Sequence, residues 1–350
     1  MTETSGDVLR LLQPVSGTCL RAKDIDEKVL EMDDIQKPDN KCGFDGEFYS
    51  LKFIEDMFVF TANEGAKMEN MHKNRYRNII PYDQTRVVLR RGSDDSHCSD
   101  YINANYIRSS RLSDISSSVQ SSTESLNSVH LKDKSYIATQ GCLTNTVNDF
   151  WRMIWQEDVR VIAMITNEAE RGKKKCDRYW PLSGQKEMYG NLLVKSMSET
   201  HYEDYLLREF DISDKITCRT IYQYQFTAWP DHSIPAEPDG VLSFIDDINR
   251  RMRQNMEEER APEQNVLCVH CSAGVGRTGT FIVLDMLIDK IKISGFNCDI
   301  DVHNTVKLVR SQRRGMVQNK LQYRFIYLAL KKYIDNNSRQ SRKKIYKSEA

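Results

Sequence analysis

The segment "NVLCVHCSAGVGRTGTFIVLDMLIDKI", residues 265–291, constrains this chain more than any other. An apolar run enters a stretch of small residues and leaves as a second, longer apolar run. The first reads as a short buried strand, the second as a helix, and the small residues as the tight loop between them. Strand, loop and helix in that order belong to an α/β domain.

The loop carries more than a turn. It points several backbone N–H groups at one spot, and the helix start adds its positive dipole end, so Ser272, Ala273, Gly274, Val275 and Gly276 form a cradle suited to a tetrahedral oxyanion. Gly274 and Gly276 permit close approach and unusual backbone angles. Arg277 can grip two oxygens with its planar fork. Cys271, at the loop entrance, shares that positive environment, which favours a thiolate near neutral pH. A nucleotide loop of Walker type is excluded, because G-x-x-x-x-G-K-[ST] is absent. "CVHC" (268–271) is too crowded for a tetrahedral zinc knuckle and no partner pair follows, so no metal is expected.

The flanking sequence keeps the α/β rhythm. "SYIATQG" and "VRVIAMIT" read as strands, with "NTVNDFWRMIWQED" between them as an amphipathic helix. "NLLVKSMSE", "YLLREFDIS" and "TIYQYQFTAW" follow at strand period, as antiparallel neighbours. "DGVLSFIDDINRRMRQNMEEER" is a long helix with a solvated charged face, and "HNTVKLVRSQR" and "LQYRFIYLALKKYI" close the domain as helices. An extended "DVLRLLQP" and a short charged helix, "AKDIDEKVLEM", precede Gly43, where the main domain is expected to begin. Half the positions in 109–128 are serine and none is aromatic, which buries too little apolar surface to offset ordering entropy. A flexible insertion is expected over 109–132, and a basic disordered tail over 336–350.

Charge points to a local site. Lys+Arg and Asp+Glu both total 50, so no overall field draws nucleic acid or acidic membranes. Apolar stretches such as "VIAMI" and "FIVLDMLI" are too short to span a bilayer, and no signal-type segment opens the chain. Nine cysteines without framework spacing read as reduced thiols of a cytoplasmic protein.

"HCSAGVGRTG" resembles the signature of the protein tyrosine phosphatases, and further landmarks follow the family's order. "KNRYRN" (73–78) resembles its phosphotyrosine-recognition loop, "TAWPDH" (227–232) its mobile tryptophan–proline–aspartate loop, and "ERGKKKCDRYWP" (170–181) its glutamate loop. "VQNKLQYRF" (317–325) resembles its water-positioning loop, and "DYINANYI" and "YIATQG" are also similar. The resemblance covers 43–335. Through "QGCLTNTVNDFWRMIWQ" and "CDIDVHNTVKLVRSQRRGMVQ" it extends to the cytosolic phosphatases with two Src-homology-2 domains, the Corkscrew group. On the same resemblance, residues 1–42 are expected to be a remnant of the second Src-homology-2 domain and its linker.

The resemblance implies a single large α/β domain with a central, highly twisted mixed β-sheet flanked by helices. It implies that Cys271 attacks phosphorus, that Arg277 binds the phosphate and that Asp231 protonates the leaving phenolate. Gln318 would position the hydrolytic water, Thr278 would bond the cysteine sulfur, and His270 would orient the loop. Tyr76 would line a pocket deep enough for phosphotyrosine, Asn78 would hold substrate backbone where some relatives use aspartate, and Gln322 would sit beside Gln318. Glu170 would hold Arg277, and Lys175 would lie near the aspartate loop. No cofactor is implied. The implied partners are tyrosine-phosphorylated receptors and adaptors and, within the full-length protein, its Src-homology-2 domains. The domain would be a monomer that binds no nucleic acid. Two other readings stand against this one. A catalytically dead phosphotyrosine-binding module would require loss of Cys271, Arg277 or Asp231, and all three are present; a phosphatase for phosphoinositides or phosphoserine is opposed by "SAGVG", which lacks the lysines expected for inositol phosphates, and by the intact phosphotyrosine loop.

Overall fold

The computed structural model describes residues 17–34, 43–58, 60–90, 99–109, 134–230, 233–258, 262 and 265–348. In chain order the strands and longer helices are β1 (Leu20–Arg21), α1 (Ile25–Asp33), α2 (Gly43–Asp56), β2 (Arg86–Val88), β3 (Tyr101–Arg108), β4 (Ser135–Thr139) and α3 (Val147–Gln156). There follow β5 (Val161–Met164), β6 (Ala169–Glu170), β7 (Lys173–Lys174), β8 (Lys186–Tyr189), β9 (Leu192–His201), β10 (Tyr205–Ser213), β11 (Cys218–Phe226) and α4 (Asp239–Glu257). The chain closes with β12 (Val266–His270), α5 (Gly276–Ser294), β13 (Asp299–Ile300), α6 (Val302–Arg310) and α7 (Lys320–Ser348).

Among the described residues one nine-stranded mixed sheet, in the order β2-β3-β4-β12-β5-β11-β10-β9-β8, forms the centre. Strands β4, β12, β5 and β11 pair in parallel, and both wings are antiparallel. The apolar runs of the parallel strands follow from being covered on both faces. Leu267 and Val269 of β12 pack with Val161 and Ala163 into the core that holds α4, α5 and α7. Val266 and Cys268 point the other way, with Ile162 and Met164, onto Phe150, Trp151 and Ile154 of α3. Each such Leu or Ile contributes about 1.5–3 kcal/mol by leaving water. Helix α5 ends at Gly295, whose φ of +76° and ψ of 174° suit glycine alone, and its N–H bonds Ile291 O at 2.8 Å.

Two boundaries differ from the sequence expectation. Gly43 does not open the core: β1 pairs with β13, Thr18 Oγ1 donates to Asp301 Oδ2 at 3.0 Å, and Ile25, Val29 and Met32 are buried with α2 and α7. Their spacing along α1 gives that short helix one apolar stripe. The expected disordered tail from 336 is instead helical as far as Ser348, because α7 is anchored at Phe325, Leu330 and Ile334 and adding turns to a formed helix is easy. Residues 110–132 of the expected insertion, and "DVLRLLQP", lie outside the described residues.

Candidate active site

The site lies where β4, β12 and β5 end at their carboxyl edge, the usual place for ligands in an open α/β sheet. Leaving β12, the chain turns through Cys271–Val275 into the first turn of α5. Gly274 makes that turn at a φ of +71°, and a Cβ there would stand 2.1 Å from Thr139 O, so only glycine fits. Its N–H donates to Cys271 Sγ at 3.3 Å.

The loop carbonyls are tied away from the pocket. Gly141 N–H donates to Ser272 O at 2.9 Å, and Val317 N–H to Val275 O at 3.2 Å. Arg313 Nε donates to Gly274 O at 2.8 Å, and its Nη2 to Ala273 O at 3.1 Å. With these oxygens engaged outward, the loop amides are left for the pocket side. Arg313 is fully buried, and its other bonds go to Asn105 Oδ1 at 2.7 Å and Asn103 Oδ1 at 2.8 Å. Burial holds its pKa down to about 10, still charged at neutral pH. Arg313 is not among the residues the sequence singles out, since nothing in "RSQRRG" separates it from Arg310 and Arg314.

Cys271 sits at the floor of a cavity of about 290 Å³. Arg277 forms one wall in a two-pronged pair with Glu170, Nη1 to Oε1 at 2.6 Å and Nη2 to Oε2 at 2.9 Å. Glu170 also accepts Thr166 Oγ1 at 3.0 Å and Asn167 N–H at 3.3 Å, so it holds the guanidinium in one plane. Lys175 lines the same wall with Nζ 3.8 Å from Glu170 Oε2. Tyr76 and Asn78 form the rim. Ser272 Oγ donates to Lys175 O at 2.9 Å, so its single proton is committed and the Tyr76 hydroxyl, 2.9 Å away, is the donor to it. Arg75 fixes the Tyr76 segment from behind, through Gly141 O at 3.1 Å and Asp177 Oδ2 at 3.1 Å. Gln318 and Gln322 close the far side, and Gln322 Oε1 accepts Gln318 N–H at 2.9 Å.

The remaining candidates stand behind the loop. His270 is fully buried, with Nδ1 3.2 Å from Cys271 O and Nε2 2.9 Å from the Tyr179 hydroxyl. Burial pushes its pKa down to about 4, so the ring is neutral. Val275 is buried as the cap of α5. Thr278 departs from expectation: it is buried in the first turn of α5, and its hydroxyl makes no hydrogen bond among the described residues, to the sulfur or otherwise. Asp231 lies outside the described residues. On either side of it, Trp229 Nε1 donates to Ser233 O at 3.0 Å, and Pro230 O accepts Arg277 Nη2 at 3.4 Å. Among the described residues no group of His, Cys, Asp and Glu could hold a metal ion.

Residues 70–332, which include the described pocket residues, match the family described as protein-tyrosine phosphatase. The chain belongs to that family. Among similar phosphatases are tyrosine-protein phosphatase corkscrew of Drosophila melanogaster, 35% identical over 95% of this chain and 54% of that protein. The non-receptor type ptp-2 of Caenorhabditis elegans is 36% identical, again over 95% and 54%. Receptor-type phosphatase zeta of Homo sapiens is 37% identical over 81% of this chain and 12% of its own length. The chain therefore spans about half the length of the corkscrew and ptp-2 phosphatases. No helix among the described residues is long and apolar enough to cross a membrane.

Proposed function

We propose that this chain hydrolyses phosphotyrosine in proteins through a cysteinyl-phosphate. The observation that carries the reading is the cysteine sulfur at the floor of a pocket walled by Arg277 on Glu170 and rimmed by Tyr76. A phenyl phosphate entering past Tyr76 presents its phosphorus to Cys271, while the loop amides and Arg277 take its oxygens. The sulfur forms a bond to phosphorus as the phenolate leaves; Asp231 supplies the proton that a leaving group of pKa near 10 requires. Water held by Gln318 and Gln322 then attacks the cysteinyl-phosphate, Asp231 takes its proton, and phosphate departs with the thiolate restored. The steps are carried by this chain's own side chains and backbone amides together with water.

Similarity to corkscrew and ptp-2 supports a place in receptor tyrosine kinase signalling in the cytoplasm, on tyrosine-phosphorylated receptors and adaptors, with Src-homology-2 domains as intramolecular partners and the catalytic domain itself a monomer. The test is initial rate on a phosphotyrosyl peptide and a matched phosphoseryl peptide in excess EDTA, for wild type and Cys271→Ser. Phosphate released from the first peptide alone, and lost in the variant, is the expected result. Tight binding without turnover by wild type would replace the enzyme with a phosphotyrosine-binding module.

A further inference from the structure

Behind the nucleophile loop a line of buried polar side chains crosses the sheet from β10 to β12. Arg208 Nη1 donates to Gln223 Oε1 at 3.0 Å, and Gln223 Nε2 donates to the Tyr179 oxygen at 2.6 Å. That oxygen is 2.9 Å from His270 Nε2, and His270 Nδ1 is 3.2 Å from Cys271 O. Gln223, Tyr179 and His270 are fully buried, and Arg208 is nearly so.

The two ends of this line set the directions of its protons. A guanidinium only donates, so the Gln223 oxygen faces Arg208 and its amide N–H faces Tyr179. At the other end the Cys271 carbonyl can only accept, so the ring carries its proton on Nδ1. Its bare Nε2 then accepts the Tyr179 proton at 2.9 Å, a shorter and stronger bond than the alternative to Met164 Sδ at 3.9 Å, while the Gln223 N–H occupies another lone pair of the same oxygen. The outer end is as firmly held as the inner one. Arg208 Nε donates to Glu199 Oε2 at 2.5 Å and its Nη1 to Gln225 Oε1 at 2.7 Å, with the guanidinium 4.7 Å from the Trp180 ring centre.

We infer that Arg208 and Gln223 are positioning residues of the nucleophile: through Tyr179 they fix the Nδ1–H form of His270, which in turn holds the backbone carbonyl of Cys271. They touch neither the pocket nor a substrate bound in it. The effect on rate rests on the proposed phosphatase activity; the effect on the His270 tautomer does not. Around the Tyr179–His270 pair stand the thiols of Cys142, Cys176 and Cys268, the Phe150 ring 6.0 Å from the imidazole, and the Arg75 guanidinium. Burial and Arg75 both oppose a charged imidazole, so an intact line has a neutral ring to orient.

Gln223→Glu is the direct test, since it keeps the shape and removes the N–H donor. Its carboxylate accepts from Tyr179, draws the phenol proton away from His270 and leaves Nε2 free to take up a proton. Expected are a fall of about 10- to 100-fold in kcat with little change in KM, and an acid limb of the kcat/KM–pH profile displaced upward. The ¹⁵N shifts of His270 should leave the Nδ1–H pattern. Tyr179→Phe breaks the same line at its next member and should displace the same shifts, which covers the case in which Gln223→Glu does not fold. Arg208→Met, which frees the Gln223 amide to flip, should give a weaker version of both changes. A wild-type pattern of His270 shifts in folded Gln223→Glu and Tyr179→Phe, or an unchanged pH limb with an unchanged kcat, overturns the inference. Absence of turnover in wild type would overturn the phosphatase reading alone, because the His270 shifts would still decide the line.

Discussion

Cys268 and Cys271 stand three positions apart at the end of one strand, and both are buried, at 0% and 5% exposure. Cys268 points into the apolar layer between the sheet and α3, and burial alone pushes its thiol well above the ordinary range. Cys271 follows His270, the last residue of the ladder with β5, so its sulfur meets the Gly274 N–H and the floor of the pocket. Burial does not distinguish the inert thiol from the proposed nucleophile. The difference lies in leaving the sheet one residue before a loop whose amides turn inward.

The comparison breaks most sharply by exchange of the two sulfurs. Cys271→Ser should lower turnover of a phosphotyrosyl peptide by at least about 10⁴-fold with the fold retained. Cys268→Ala should keep kcat within a few-fold and cost roughly 1–2 kcal/mol in a urea titration, the toll of a small cavity. Equal losses of activity in the two would show that the loop confers nothing special. A second break acts on the loop and leaves both sulfurs in place. Gly274→Ala drives a Cβ against Thr139 O, and moving the Cys271–Gly274 contact should lower kcat by about 100-fold while circular dichroism stays native. A variant as active as wild type would mean that the turn is not what readies the sulfur.

The third test acts on His270, which separates the two cysteines in register. Its pKa falls from 6.5 to about 4 on folding, so between those values the unfolded chain binds a proton that the native one does not. Stability is therefore whole above pH 6.5 and declines as pH falls towards 4, by at most about 3 kcal/mol. His303 is also lowered by burial and adds loss of the same sign. The lowered carboxylates Asp83, Asp177 and Glu199 contribute only as pH falls below the ordinary carboxylate range. Urea midpoints measured from pH 7 to 4.5 should fall across this window, and a His270→Gln variant should fall less.

What could be read from the residues was whatever local pattern determines. The apolar run of β12, the stretch of small residues and the apolar run that begins at Phe281 of α5 follow in that order, and the order alone implies the cradle. The pairing of Glu170 with Arg277 and the place of Tyr76 were legible only through the family resemblance, since 107 and 196 positions separate them from their partners. Arg313 was not legible at all. Three arginines share its neighbourhood, and only packing against the loop selects one of them. The Arg208–Gln223–Tyr179 line was hidden because it depends on the register of β10 against β11, which sets Arg208 directly opposite Gln223. The Thr278 contact failed for a different reason: its place in the first turn of α5 buries the side chain without giving its hydroxyl a partner among the described residues. The sequence beyond 336 is mostly polar and gives no local helix signal, since the turns before it supply the anchor.

The two bonds from Arg313 to Asn103 and Asn105 span 210 and 208 positions, and those to Gly274 and Ala273 about 40. A loop held in this way acquires its shape only after both distant parts of the chain have arrived. Contacts of such separation form late in folding, because chain-closure entropy must be met before they stabilise anything. A molecule emerging from denaturant can thus regain its central sheet, and with it most of its spectroscopic signature, while the cradle is still unformed. The proposed phosphatase activity would then be the last property to return.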